Sequence, residues 1–128
     1  MTVLLDTHAL LWWLTDDPRL SPVARRTIAD ESIRVLASAA SAWEIATKHR
    51  LGKLGLAASI VQRYPALIEA EGFDPLPISV AHALHAGSYP QDHRDPFDRV
   101  LAAQAELEKV PLVTSDPAMS RFGVDVLW

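Results

Sequence analysis

The alternation of short apolar runs with helix-forming segments most constrains how this chain can fold. Thr2–Leu5, Ile33–Leu36 and Val110–Thr114 have the composition of buried strands, and segments with apolar residues at helical spacing separate them. Strands that alternate with helices form βαβ units, which build a parallel sheet covered by helices on both faces. The pattern therefore predicts an α/β fold.

Capping and turn residues set the limits of the predicted elements. Ser21 and Asp95 each precede a proline, as at helix starts, while Gly52 and Gly72 suit helix ends. The predicted strands are Thr2–Leu5, Ile33–Leu36, a proline-broken edge strand within Phe73–Ile78, Val110–Thr114 and Val124–Trp128. The predicted helices are His8–Leu14 capped by Thr7, Pro22–Asp30, a helix from Ser38 or Ser41 to about Leu51, Leu56–Ala70, Ser79–Ala86, a helix after Asp95 and a helical turn after Asp116.

Length and composition limit the class of protein. The chain has 128 residues, 49% of them hydrophobic, which suits one compact domain over residues 1–128. It has no cysteine, so disulfides and thiolate zinc sites are excluded. No apolar run approaches a membrane span and no signal-peptide pattern begins the sequence, so we expect a soluble cytoplasmic protein with no membrane partner. A formal net charge of −4 does not favour non-specific nucleic-acid binding, although a nuclease whose carboxylates hold metal can also be acidic.

Acidic residues stand where a parallel sheet places its functional crevice. Asp6 and Asp116 follow predicted strands, Asp98 lies in the first turn after Asp95, and Glu44 lies two turns into the helix after the second strand. The crevice of such a sheet lies beyond the carboxyl ends of its strands. We therefore expect these acids, although distant in sequence, to converge.

Each acid also has a structural explanation. Asp6 can end a strand, Asp98 can complement a helix dipole, and Asp116 can cap a helix. Glu44 and Lys48 have the spacing of a solvated helix pair. Taken together, however, several carboxylates with few local cations would repel one another unless a divalent cation lay between them. Carboxylate oxygens favour Mg²⁺ or Mn²⁺ over zinc.

Two other groups of side chains have competing interpretations. Lys48 and Arg99 lie near acids, so they are the best candidates for contacting phosphates, although a solvated helix end explains such cations equally well. His82, His85 and His93 lack a recognisable further zinc ligand, which favours packing roles for them. The tryptophans at 12, 13 and 43 lie in apolar helices, where core or interface positions are more common than base stacking.

Four ordered motifs carry a resemblance to a known family. They are L-L-D-T-H-A-L at Leu4–Leu10, S-A-W-E-I-A-T-K with L-G-K-L within Ser41–Leu54, H-R-D-P-F-D-R-V-L-A-A-Q-A at His93–Ala105, and V-T-S-D at Val113–Asp116. Together they resemble the PIN-domain ribonucleases and, more narrowly, the VapC toxins of type II toxin–antitoxin modules. The resemblance spans nearly the whole chain in the correct order.

The resemblance implies a three-layer α/β/α sandwich with a central parallel sheet of four to five strands. It implies that Mg²⁺, or Mn²⁺ as a substitute, is bound by four acids, which match Asp6, Glu44, Asp98 and Asp116. It further implies Mg²⁺-dependent endonucleolytic cleavage of RNA, restraint by a cognate antitoxin whose C-terminal segment occupies the groove, and homodimers. Small polar family positions near the metal match Thr7, Thr114 and Ser115.

Asp95 is the main ambiguity of the resemblance, because it belongs to the D-P-F-D-R variant of the third motif. It could cap the helix, support a metal ligand or reach the metal through water. Two rival functions remain from the residues alone. A phosphotransfer receiver domain would need an acid pair after the first strand, where only Asp6 is present. A non-catalytic interaction module would use the acids as caps and the tryptophans as a partner surface.

Overall fold

Five parallel strands form one sheet at the centre of the molecule. A computed structural model describes residues 1–128, apart from the side chain of Leu56. The strands are β1 (Thr2–Leu5), β2 (Arg34–Ser38), β3 (Asp74–Leu76), β4 (Leu112–Val113) and β5 (Val126–Leu127). The helices are α1 (Thr7–Leu14), α2 (Pro22–Ala29), α3 (Ala39–Arg50), α4 (Ile60–Ala70), α5 (Val80–Ser88) and α6 (Pro96–Glu108), with 3₁₀ segments at Gly55–Ser59 and Pro117–Phe122.

The strand order β3-β2-β1-β4-β5 places β1 in the middle of the sheet. Leu5, the last residue of β1, is in register with Ala37 of β2 and Val113 of β4. The three central strands therefore end at nearly the same level. The residues that follow them emerge side by side at one edge.

Helices cover both faces of the sheet. Val3 and Leu5 of β1 point to one face, where they join a buried cluster with α1, α2 and α4. Leu4 points to the opposite face and packs with Leu101 of α6 and Phe122 of the second 3₁₀ segment. This alternation confirms the predicted three-layer α/β/α sandwich, with five strands in the sheet.

Several predicted boundaries are confirmed. β1 has the predicted limits, and the proline-containing β3 is an edge strand because Pro75 leaves no N–H for a second neighbour. The side chains of Ser21 and Asp95 cap α2 and α6 as predicted. Of the two serines considered for the start of α3, Ser38 is the cap.

Other boundaries differ from the prediction. The cap of α1 is Asp6 rather than Thr7, which is itself helical. The helix predicted to begin at Leu56 starts as α4 at Ile60, after the 3₁₀ segment. The fourth strand is shorter than predicted because Pro111 has no N–H to donate. In the described chain, no helix combines the length and apolarity needed to cross a bilayer.

Candidate active site

The site is organised around Asp6, which follows the central strand β1. Its Oδ1 accepts a hydrogen bond from the main-chain N–H of Ala9 at 2.7 Å, so the carboxylate caps α1. Only 8% of Asp6 is exposed. The strand end and the helix start together fix this carboxylate at the edge of the sheet.

The environment of Asp6 opposes its ionisation. The pKa of Asp6 is raised from 3.8 to about 6, mainly by burial and to a smaller extent by the negative charges of Glu44 and Asp116. Hydrogen bonds from the Thr114 hydroxyl and the Ala9 N–H lower the pKa, but they do not outweigh burial. Asp6, Glu44 and Asp116 therefore lie close enough for their charges to interact, as the sequence predicts.

Glu44 reaches the same site from α3. It is only 6% exposed, and its Oε2 lies 3.0 Å from Nζ of Lys48, one turn further along the helix. The helix pair expected from the spacing is thus formed, but its acid is buried rather than solvated. Lys48 supplies the positive charge that this buried carboxylate requires.

Asp98 lies in the first turn of α6, where its Oδ2 is 2.9 Å from Nε2 of His93. Burial raises the pKa of Asp98, and the charges of Asp95 and Glu44 also raise it, whereas His93 lowers it. Glu44 thus acts electrostatically on both Asp6 and Asp98. His93 is a contact that the sequence did not identify, and its place at the start of the H-R-D-P-F-D-R motif was the available signal.

The remaining two acids are helix caps. Asp116 Oδ1 accepts from the Ala118 N–H at 2.9 Å and begins the second 3₁₀ segment. The carboxylate of Asp95 is exposed, and its Oδ1 accepts from the N–H groups of Phe97 at 2.9 Å and Asp98 at 3.3 Å. Of the three roles considered for Asp95, its hydrogen bonds correspond to capping of the helix.

Small hydroxyl side chains lie beneath the acids. Thr7 Oγ1 and Ser41 Oγ are 3.0 Å apart in a buried contact between α1 and α3. Thr114 Oγ1 accepts from the Asp116 N–H at 3.1 Å, which ties the end of β4 to the fourth acid. Ser115 is exposed. Ser41 was not singled out from the sequence, although it lies three residues before Glu44 on the same helix.

The donor chemistry of the site fits a hard divalent cation. Asp6 and Asp116 each use one oxygen to cap a helix, which leaves the second oxygen without a main-chain partner. Among the described side chains, however, no group of three or more acids or histidines is arranged to enclose an ion in this conformation. Glu44 is turned to Lys48, so closing a metal site requires at least this side chain to adjust.

Arg99 has a structural role that the sequence did not predict. Its Nε, Nη1 and Nη2 donate to main-chain carbonyls of the last turn of α5 and of the loop before α6, at distances of 2.6 to 3.0 Å. The four accepting residues are Ala86, Tyr89, Gln91 and His93. All three guanidinium nitrogens are therefore occupied, and Arg99 is not available to contact a phosphate in this conformation.

Replacing Arg99 with methionine is expected to lower the free energy of unfolding by about 2–3 kcal/mol, since it removes charge-assisted bonds to partly buried carbonyls. Urea unfolding monitored by circular dichroism measures the change. Arg94→Met is the matched control because Arg94 is exposed beside the same helix. Unchanged stability of Arg99→Met together with weakened RNA binding would instead support the phosphate-contacting interpretation.

A groove with basic side chains opens beside the acids. It has a volume of about 660 Å³ and is lined by residues that include His8, Trp12, Arg19, Lys48 and Lys53. The Arg19 guanidinium lies 5.0 Å from the centre of the Trp12 ring. Burial and the charge of Lys48 lower the pKa of His8. Asp16 and Asp17 also line the groove, and Asp17 Oδ2 pairs with Arg19 Nη2 at 2.7 Å, so the lining carries charges of both signs.

The three tryptophans considered from the sequence have different surroundings. Trp12 and Trp13 are partly buried and pack against the core. Trp43 is 56% exposed and lies edge-on to Phe97, with 4.7 Å between ring centres. Trp12 and Trp13 therefore occupy core positions, as expected. Trp43 instead lies on the surface of this chain.

Comparisons with known proteins agree with this architecture. The PIN domain family profile matches residues 3–125. Ribonuclease VapC22 of Mycobacterium tuberculosis is 36% identical over 121 residues, which cover 90% of this chain and 87% of that protein. Both similarities extend over most of the chain, and the four acids lie within the range that the family profile matches.

Two solved structures share the fold at low sequence identity. VapBC2 of Rickettsia felis, bound to a fragment of promoter DNA, has a TM-score of 0.73 at 13% identity and covers 98% of this chain and 97% of its own. VapC20 of Mycobacterium tuberculosis, a sarcin–ricin loop cleaving toxin, has a TM-score of 0.69 at 15% identity, with 95% of each chain covered. The family match and the VapC22 similarity confirm the resemblance found in the motifs, and the chain belongs to the PIN-domain family and, within it, to the VapC ribonucleases.

Proposed function

We propose that this protein is a Mg²⁺-dependent endoribonuclease, with Mn²⁺ as a possible substitute, and the toxin of a toxin–antitoxin module. Asp6, Glu44, Asp98 and Asp116 hold the metal in this proposal. The observation that carries it is the buried carboxylate of Asp6, whose pKa is raised to about 6 beside two further acids. Among the described side chains, neither Asp6 nor Asp116 forms an ion pair, so a divalent cation would supply the missing positive charge.

Different residues of the chain have different roles in the proposed reaction. A bound divalent cation lowers the pKa of a coordinated water and stabilises negative charge on a phosphate. Asp6 and Asp116 are held in place by the helix starts that they cap, so their carboxylates are fixed at the edge of the sheet with little further loss of side-chain entropy on binding. Lys48 pairs with Glu44 and also lines the groove, so its ammonium group can exchange the Glu44 carboxylate for a substrate phosphate. No histidine is required as a general base.

The groove beside the acids is the proposed path for RNA and for a restraining antitoxin. Lys48, Lys53 and Trp12 in its lining are the side chains that would contact a phosphate backbone, despite the net negative charge of the whole chain. The similarity to VapBC2, a toxin–antitoxin pair, supports a cognate antitoxin partner. A homodimer is proposed on the same family grounds.

Cleavage of total cellular RNA, followed by mapping of the 5′ ends, tests the proposed activity. We expect discrete cuts in the presence of Mg²⁺, none with EDTA, and recovery when excess Mg²⁺ or Mn²⁺ is restored. Cleavage that persists unchanged in EDTA would contradict the metal-dependent mechanism. A folded protein that neither cuts RNA nor binds Mn²⁺ would favour the non-catalytic interaction module.

Replacing Asp95 with asparagine is expected to leave RNA cleavage close to the wild-type rate. Asparagine is as good an N-cap as aspartate, so the bonds to the N–H groups at the start of α6 can be kept. Single-turnover cleavage at saturating Mg²⁺ measures the effect. A loss as large as that of Asp98→Asn would show that Asp95 contributes its charge to the metal site.

A further inference from the structure

The H-R-D-P-F-D-R motif contains a histidine that the proposed reaction does not use. His93 lies in the loop between α5 and α6, and its Nε2 is 2.9 Å from Oδ2 of Asp98. Both side chains are mostly shielded from solvent, with 23% and 26% exposed. We propose that His93 is a positioning residue that orients the Asp98 carboxylate toward the metal, an inference that rests on the proposed function of the acidic site.

The loop that carries His93 is held from within the protein. The Arg99 guanidinium donates to the carbonyl of His93 at 2.9 Å and to that of Gln91 at 3.0 Å. It also binds the carbonyls of Tyr89 and Ala86, at the start of the loop and the end of α5. Because Arg99 and Asp98 are neighbours on α6, the helix that bears the acid also fixes the main chain of its histidine partner.

The imidazole ring is fixed as well. It packs edge-on against Phe122, with 5.2 Å between ring centres and planes inclined at 72°. Phe122 is itself buried in the core on that face of the sheet. The ring therefore has few alternative rotamers, and the direction of its Nε2 is set before any ligand binds.

The hydrogen bond decides which oxygen of Asp98 is available. An ionised carboxylate only accepts hydrogen bonds, so Nε2 carries the hydrogen and donates it to Oδ2. The second oxygen of Asp98 has no protein donor among the described residues, and Asp98 lies close enough to Glu44 for the two charges to interact. When one oxygen of a carboxylate is anchored by a hydrogen bond, the other oxygen points in a defined direction. Residues that hydrogen-bond to metal ligands commonly orient those ligands in this way.

The other histidine–carboxylate pairs of the chain lie away from the acids. His85 Nε2 is 2.7 Å from Glu106 Oε2, and His82 Nε2 is 3.0 Å from Glu108 Oε1. Both pairs join α5 to α6 near the far end of α6. They make His85 a matched control, since it has the same chemistry without contact to any proposed ligand.

A pair of isosteric variants tests the inference. Gln at position 93 can place an amide N–H near the position of Nε2, whereas Met has a similar length and no donor. We expect His93→Met to weaken Mn²⁺ binding about 10- to 100-fold, His93→Gln to stay close to wild type, and His85→Met to have no effect. Isothermal calorimetry with Mn²⁺ measures the affinity, and the Mg²⁺ concentration needed for half-maximal cleavage provides a second reading.

The outcomes separate this inference from the proposed site. Equal Mn²⁺ affinity for wild type, His93→Gln and His93→Met, with binding lost in Asp98→Asn, would overturn the positioning role and leave the site intact. Equal weakening of both position-93 variants would also overturn it, because packing rather than the donated N–H would then be responsible. If His93→Met does not fold, His93→Asn replaces it, since its amide is too short to reach Asp98. Absence of Mn²⁺ binding in the wild type would overturn the site and this inference together.

Discussion

Replacement of Asp98 by asparagine is expected to lower the rate of Mg²⁺-dependent RNA cleavage by about 100- to 1,000-fold, the usual cost of removing a group that stabilises charge in the transition state. The substitution keeps the size of the side chain but removes the charge that a divalent cation requires. Asp6→Asn is expected to have a similar effect, because Asp6 is the buried acid whose charge interacts with both Glu44 and Asp116. Single-turnover cleavage of a mapped RNA substrate measures both rates.

Asp92→Asn is the control for a lost negative charge near the site. Asp92 is exposed in the loop that also carries His93, and no ion pair forms to it among the described residues. Its cleavage rate should match the wild type. Circular dichroism establishes that each variant is folded. Near wild-type cleavage by both Asp6→Asn and Asp98→Asn would contradict the proposed roles of these acids.

Asp6→Asn is also expected to stabilise the metal-free protein at neutral pH, although it lowers the cleavage rate. The pKa of Asp6 rises from 3.8 to about 6 on folding, so its ionised form opposes folding at pH 7.5. The shift corresponds to at most about 3 kcal/mol, which a neutral amide would recover in part. Asparagine can keep the cap of α1. Urea unfolding in EDTA at pH 7.5 measures the difference.

The stabilising effect expected for Asp6→Asn depends on pH. Between pH 4 and 6 the folded state keeps a proton on Asp6 that the unfolded state has released. The contribution of Asp6 to the free energy of unfolding therefore falls as pH rises through this window and is constant above it. The advantage of Asp6→Asn should accordingly be largest above pH 6 and disappear near pH 4. A variant less stable than wild type at pH 7.5 would show that the Asp6 charge is already compensated without metal.

Much of the fold follows from local sequence signals. The apolar run Thr2–Leu5 and the Ser-Pro and Asp-Pro pairs at Ser21 and Asp95 determine a strand and two helix starts through short-range chemistry. The exact lengths of the later elements were less predictable, because they depend on distant partners. β4 is limited by Pro111 and by the register of β1, which only the assembled sheet reveals.

The proximity of the acids was predictable from the sequence, but the contacts of the surrounding side chains were not. The positions of Asp6 and Asp116 after strands predicted their convergence, because parallel strands end at one edge. The side-chain directions of Arg99 and His93 depend on the loop before α6, whose course has no periodic signal. The sequence therefore left Arg99 as either a candidate phosphate contact or part of a solvated helix end, whereas the guanidinium stabilises that loop and His93 contacts Asp98.

Calorimetric titration of the wild-type protein and of Asp98→Asn with Mn²⁺ tests the central claim most directly. The claim is that carboxylates from four separate segments share one divalent cation. We predict saturable, stoichiometric Mn²⁺ binding to the wild type and its loss in the variant, with both proteins equally folded. No stoichiometric binding to the wild type, or undiminished binding to Asp98→Asn, would contradict it.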